Sequence, residues 1–205
     1  MRILRAFVGA VASAIVLVLA LSLHGPVPTA QAECMRMPYF TPFGYANFDF
    51  PPRIVAVLNE NEIAVEGIAP FQAKPAKTGL YLPIGSFNNN HVDACMGVYY
   101  PGGPRFVSKT GNSVSAENIW LRMDGAYATV RINGVAQGER MVATYNMNEM
   151  MPTLMTPHGG GIGPTYWPFR FTPYFAQALN EAAGANLVTA GEVFANLDAV
   201  GKFVP

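Results

Sequence analysis

The sequence predicts an α+β domain, with an antiparallel β-rich sheet or sandwich over residues ~46–147 closed by two C-terminal helices at ~173–183 and ~190–200. Three observations lead there. First, Asp124-Gly125 and Asn133-Gly134 are hairpin signatures that cut "NIWLRMDGAYATVRINGVAQGERMVATYN" into three consecutive antiparallel strands. Second, Ala126, Ala128, Val130 and Ile132 alternate with Tyr127, Thr129 and Arg131, so one face of the middle strand packs inward and the other meets solvent. Third, beyond Thr172 the apolar period lengthens from two to about 3.6, and strands followed by helices is the order of an α+β fold.

Residues 1–32 are expected to be a signal peptide. Arg2 and Arg5 precede an apolar run, and Ala30-Gln31-Ala32 is a small-x-small cleavage site after the breakers Pro26 and Pro28. Residues 33–205 are then one exported domain, long enough for one core. The segment "MPYFTPFGYANFDFPPR" (37–53) reads as an ordered aromatic arm across that core, and "RIVAVLNENEIAVEGI" (53–68) as a hairpin around Asn59-Glu60-Asn61. A strand "LYLPI", the polar loop "GSFNNN", a strand through "VDACMGVYY" and the turn "PGGP" follow. Gly138 marks a bulge or bend in the third meander strand. The first helix has Thr172 as cap, Pro173 at its first position and Gly184 as stop; the second opens on a Thr189–Glu192 capping box and carries Val193, Phe194, Leu197 and Val200 on one stripe.

Without Arg2 and Arg5 the formal charge falls from zero to about −2, and the remaining basic residues are scattered singly, so the footprint of a nucleic-acid binder is absent. No membrane span is expected after cleavage. Export places Cys34 and Cys95 in an oxidising compartment, where an even count pairs as a disulfide. On a single strand His91 and Cys95 would stand about 13 Å apart, too far for His91 to activate the thiol.

Candidate ligand contacts are Asn88, Asn90, His91 and Asp93, the densest polar cluster in the chain, together with Trp167 and Arg170 in "GPTYWPFRFTPYF". That segment and "YYPGGPRF" offer flat aromatic faces for a glycan or an apolar ligand, with Arg105 or Arg170 as polar partner. In "MNEMMPTLMTPHGGG", Met147, Met150, Met151, Met155 and His158 are soft ligands suited to Cu(I), and the segment resembles the Met-rich stretches of periplasmic copper-handling proteins. The expectation is that these thioethers mostly fill gaps where sheet meets helices, with Cu(I) handling as the alternative. "HGGG" resembles the oxyanion motif of hormone-sensitive-lipase-type esterases, which implies a downstream G-x-S-x-G elbow; no serine follows His158. A hydrolase would have to assemble His91, Asp93 or His158 by tertiary contacts. The reading is therefore an exported, non-enzymatic protein, without cofactor, that binds a protein, glycan or small apolar ligand.

Overall fold

In the aromatic segment, Ala46 and Phe48 alternate with Tyr45, Asn47 and Asp49, and this period of two makes a strand. In the computed structural model, which describes residues 43–85, 91–93, 96–149, 151–152, 161–162 and 164–202, that strand is β1 (Phe43–Asp49). It is a sheet member with two neighbours, not an arm laid across the core.

The next run departs from the expected hairpin. Pro52–Glu60 is a helix, α1, with Ile54 and Leu58 buried one turn apart while Arg53, Ala56 and Glu60 face outward. Val55 and Val57 invite a strand reading, but the 3.6 period of Ile54 and Leu58 prevails. Glu62 takes φ 55°, and the Ile63 N–H donates to Leu58 O at 2.9 Å, which stops the helix and turns the chain into β2 (Ala64–Ile68).

The remaining elements are β3 (Gln72–Ala73), β4 (Gly79–Ile84), β5 (His91–Asp93), β6 (Gly97–Tyr100) and β7 (Gly103–Val107). The meander follows as β8 (Ser113–Arg122), β9 (Gly125–Ile132) and β10 (Val135–Thr144). Then come β11 (Met151–Pro152), β12 (Gly161–Ile162), β13 (Pro164–Phe171), the helix α2 (Pro173–Ala183) and β14 (Val193–Lys202).

The meander forms as expected, with its first turn one residue earlier than the sequence suggests. Asn133 (φ 51°) and Gly134 (φ 81°) make the β9–β10 turn, a left-handed pair. In the β8–β9 hairpin Arg122 pairs with Gly125, so Met123-Asp124 is the turn and Gly125 already belongs to the strand. Gly138 (φ 81°) sits in a bulge where the register jumps between Ala136 and Glu139.

The expected second C-terminal helix is a strand. In β14, Ala195, Leu197 and Ala199 are buried and alternate with the less buried Asn196 and Asp198. Thr189 and Glu192 do interact, with the Thr189 N–H donating to Glu192 Oε2 at 3.2 Å, but the contact closes a turn rather than opening a helix. Thus α1 lies between β1 and β2 and α2 between β13 and β14; they are not a pair at the C-terminal end.

The described strands form one antiparallel sheet in the order β2-β7-β8-β9-β10-β13-β14-β1-β4-β3, with β6 on β8, β5 on β6, β11 on β13 and β12 on β14. Its two ends meet through the chain itself. β2 and β3 are joined by Ala69–Phe71, where the Phe71 N–H donates to Ile68 O at 3.1 Å, so the sheet is a nearly closed barrel.

Small and large residues fill its interior together. Ala46, Ala116, Ala126, Ala128, Ala143 and Ala195 leave room for Phe48, Phe106 and Phe169, and α2 inserts Phe175. Phe48 meets Phe169 edge-on at 5.8 Å and Tyr145 lies 4.9 Å from Phe169. A cavity of about 30 Å³, lined by apolar residues such as Phe71, Leu121 and Phe194, is what packing leaves behind. Among the described residues the barrel interior is therefore a packed core.

Candidate functional site

The clearest concentration of recognition chemistry lies on the outer face of β6, β8 and β9. Direct pairings place His91 beside Tyr99, Tyr99 beside Trp120, Trp120 beside Tyr127 and Tyr127 beside Met141, one row across five strands. Opposed residues of an antiparallel pair project to the same side. Their chain neighbours Tyr100, Ile119, Leu121 and Ala126 are buried, so Tyr99, Trp120 and Tyr127 belong to the outside.

The bulge in β8 shapes the ladder. Between Glu117 and Trp120 the register shifts, and Asn118 there has φ 56°. The Tyr99 hydroxyl donates to Asn118 Oδ1 at 3.0 Å, which holds the ring 4.9 Å from Trp120. The Arg122 guanidinium lies 4.3 Å over the Tyr127 ring and donates to Glu139 at 2.7 Å. The Tyr127 hydroxyl donates to Asp124 Oδ2 at 2.7 Å; that hydrogen bond is the main cause that raises its pKa, whereas burial raises that of Tyr99. Gly97 (φ 100°) runs against β8 so closely that a Cβ would stand 2.0 Å from Leu121 O. A side chain there would collide with the β8 backbone.

His91 and Asp93 thus occur on the strand that extends the ladder; β5 and β6 pair antiparallel, so the described part of the expected single strand "VDACMGVYY" is two strands. Asn88, Asn90, Cys95, Met150, Met155 and His158, as well as Cys34, lie outside the described residues. Met151 pairs with Tyr166 in β11.

Trp167 is buried, 7% exposed, and its indole N–H donates to Asn146 O at 3.1 Å, so it is a core residue rather than a contact surface. Arg170 is half-buried on β13 and bridges Glu149 at 3.0 Å, while Arg105 bridges Glu66 at 3.3 Å. Met147 opens a short 3-10 turn, Met147–Glu149, and is 39% exposed, which departs from the expectation that these thioethers fill the sheet–helix junction.

The described strand ends that flank the sequence-predicted segments nevertheless lie at one end of the barrel. β4 ends with Ile84 opposite Gly44 at the start of β1, and β12 begins with Gly161 opposite Lys202 at the end of β14. The β5–β6 and β8–β9 turns leave from the same end of the antiparallel sheet. A different opening, a groove of about 640 Å³, runs along α2 and residues 184–190. Its polar groups serve the fold: Asn180 holds the amides of Leu187 and Val188 at 2.8 and 3.0 Å, and Gln177 donates to Glu181 at 2.7 Å. Among the described residues no three His, Cys, Asp or Glu side chains gather as a metal site.

Trp120 is the functional candidate that sequence reasoning missed. Its signal was the outward set Tyr127, Thr129 and Arg131: carried across the hairpin, that alternation lands on Trp120 and Arg122.

No family model matches the chain, and no curated protein matches it. Among solved structures, the C-terminal domain of HtaA from Corynebacterium glutamicum is similar at a TM-score of 0.48 with 11% sequence identity, covering 80% of this chain and 99% of that one.

Proposed function

We propose that the protein is an exported, non-enzymatic binding protein that engages its ligand or partner on the outside of the barrel, at the Tyr99–Trp120–Tyr127 ladder. The observation that carries this is the register row that aligns the three rings and brings His91 into line with them. Two further facts support it. The interior is occupied by side chains, and Arg122 supplies a positioned polar group at the ladder's end. Aromatic residues with an arginine are the side chains that dominate binding energy at interfaces. No helix among the described residues is long and apolar enough to cross a membrane.

The test is a calorimetric panel of glycans, peptides and small apolar compounds, with hits repeated on Tyr127→Ala and Arg122→Ala. Each substitution is expected to weaken binding by about 1–3 kcal/mol, roughly tenfold or more, with folding intact. Hits that bind both variants like the parent would place the site elsewhere.

Cu(I) handling is the second reading. It draws on Met96, Met123 and Met147, which are 42%, 81% and 39% exposed and sit in turns at the end of the barrel where the Met-rich segment connects. Anaerobic titration separates the two readings. The ladder reading expects no Cu(I) site tighter than micromolar, and a stoichiometric tighter site lost in Met123→Leu would favour copper.

A further inference from the structure

The outer face of β13, β14, β1 and β4 carries a second arrangement, separated from the ladder on β9 by β10. Direct pairing puts Asp198 beside Asn47 and Asn47 beside Tyr81, with Asn196 beside Asp49 in the next row. Pro168 pairs with Asn196, and Tyr166 is the next outward residue of β13. Trp167, Leu197, Phe48 and Leu80 are the buried neighbours along the four strands, which fixes the intervening positions on the outside.

The face is bounded by rings and polar in its middle. Tyr166 is 48% exposed at one side; at the other, Tyr45 is 36% exposed and stacks on Tyr81 with centroids 6.4 Å apart and planes 24° from parallel. Strands about 4.8 Å apart separate the backbone positions of Tyr166 and Tyr81 by roughly 14 Å. Between them stand two amides and the carboxylate of Asp198.

Asn196 Oδ1 and Arg170 Nη1 are buried without a hydrogen-bond partner, and Pro168 between them is buried too, so the accessible row is Tyr166, Asp198, Asn47 and Tyr81. Lys74 is paired with Asp49 at 2.6 Å and Arg170 with Glu149 at 3.0 Å. An anion laid along this row would meet the carboxylate of Asp198.

We propose that this face binds a neutral oligosaccharide laid across the strands. Sugar rings stack on Tyr166 and on the Tyr81–Tyr45 pair, where their C–H faces meet aromatic surface. Hydroxyls of the central unit donate to Asp198 and to the Asn47 carbonyl oxygen, and accept from the Asn47 amide. A pyranose unit advances by about one strand spacing, close to 5 Å, so three units span the row. The groups sit on paired strands, and a preorganised platform lowers the ordering cost of binding.

Calorimetry of the full chain with cellohexaose, chitohexaose and maltohexaose tests this. At least one is expected to bind, with affinity falling at least tenfold in Tyr166→Ala and in Tyr81→Ala, and unchanged in Lys109→Ala, in the turn between β7 and β8. Circular dichroism checks the fold of each variant. If half-buried Tyr81 proves necessary for folding, the more exposed Tyr166 decides alone. Absence of binding by all three sugars, binding that survives loss of the ring at Tyr166, or capture of a tetralysine peptide in their place through Asp198 would each overturn the proposal.

Discussion

At the residue scale, the tyrosines divide by what surrounds their hydroxyls. Burial pushes the Tyr100 phenol from 10.0 up to about 12, and it raises Tyr145 as well, whose hydroxyl donates to the carbonyls of Arg122 and Gly125. A phenol whose pKa is higher in the fold than in the unfolded chain is held neutral by folding. Its contribution is complete below pH 10 and is lost as the pH rises from 10 towards 12, at most about 3 kcal/mol for Tyr100. Urea unfolding at pH 9 and pH 11 should show that loss in the parent and a smaller one in Tyr100→Phe. Equal stability of the parent at both values would contradict the burial of this ring. Such environments were only partly legible in the sequence. Tyr127 was placed correctly on the outer face by alternation, whereas Trp167 looked like surface because its neighbours are prolines and aromatics, and only the fold closes Tyr145 and Phe169 around it.

At the scale of elements, what was legible is what is locally determined. Thr172 caps α2 by accepting from the Phe175 N–H at 3.2 Å, and Gly184 ends it in the left-handed region at φ 72°. Segment 193–200 was not legible, because Val193, Phe194, Leu197 and Val200 satisfy a helical stripe while Ala195, Leu197 and Ala199 satisfy a strand. The open edges of β13 and β1 decide between them, for β14 pairs with both. The link from α2 to β14 rests on Asn180, whose side chain bonds Leu187 N, Val188 N and Val188 O, and on Arg53 of α1, which bridges Glu192 and donates to Leu187 O at 3.2 Å. Replacing Asn180 with leucine keeps comparable bulk but leaves those backbone groups unpaired. It should cost about 1–3 kcal/mol. Hydrogen exchange at the Leu187 and Val188 amides should accelerate more than at β14; unchanged protection there would show that the link is held by other contacts.

For the molecule as a whole, the β-rich character and the meander could be read from period and turn residues, but closure could not. Whether β2 and β3 approach each other depends on a sheet order assembled from pairings distant in sequence, such as Val65 with Phe106 and Phe48 with Leu197. That closure has the functional consequence that matters. With the interior filled by Phe48, Phe106, Phe169 and Phe175, the proposed recognition falls to the outer faces. The candidate site shows the same division: His91 and Asp93 were visible as polar residues, while the rings beside them became a row only through register. The two tryptophans offer the most direct test of recognition at the ladder. With a ligand identified in the binding panel, a ¹H–¹⁵N spectrum reports two indole N–H signals, from Trp120 on the ladder and from Trp167, bonded to Asn146 O at 3.1 Å in the core. Titration is expected to move the Trp120 signal and leave that of Trp167 in place; a bound state in which Trp167 shifts and Trp120 does not would contradict recognition on the outer ladder.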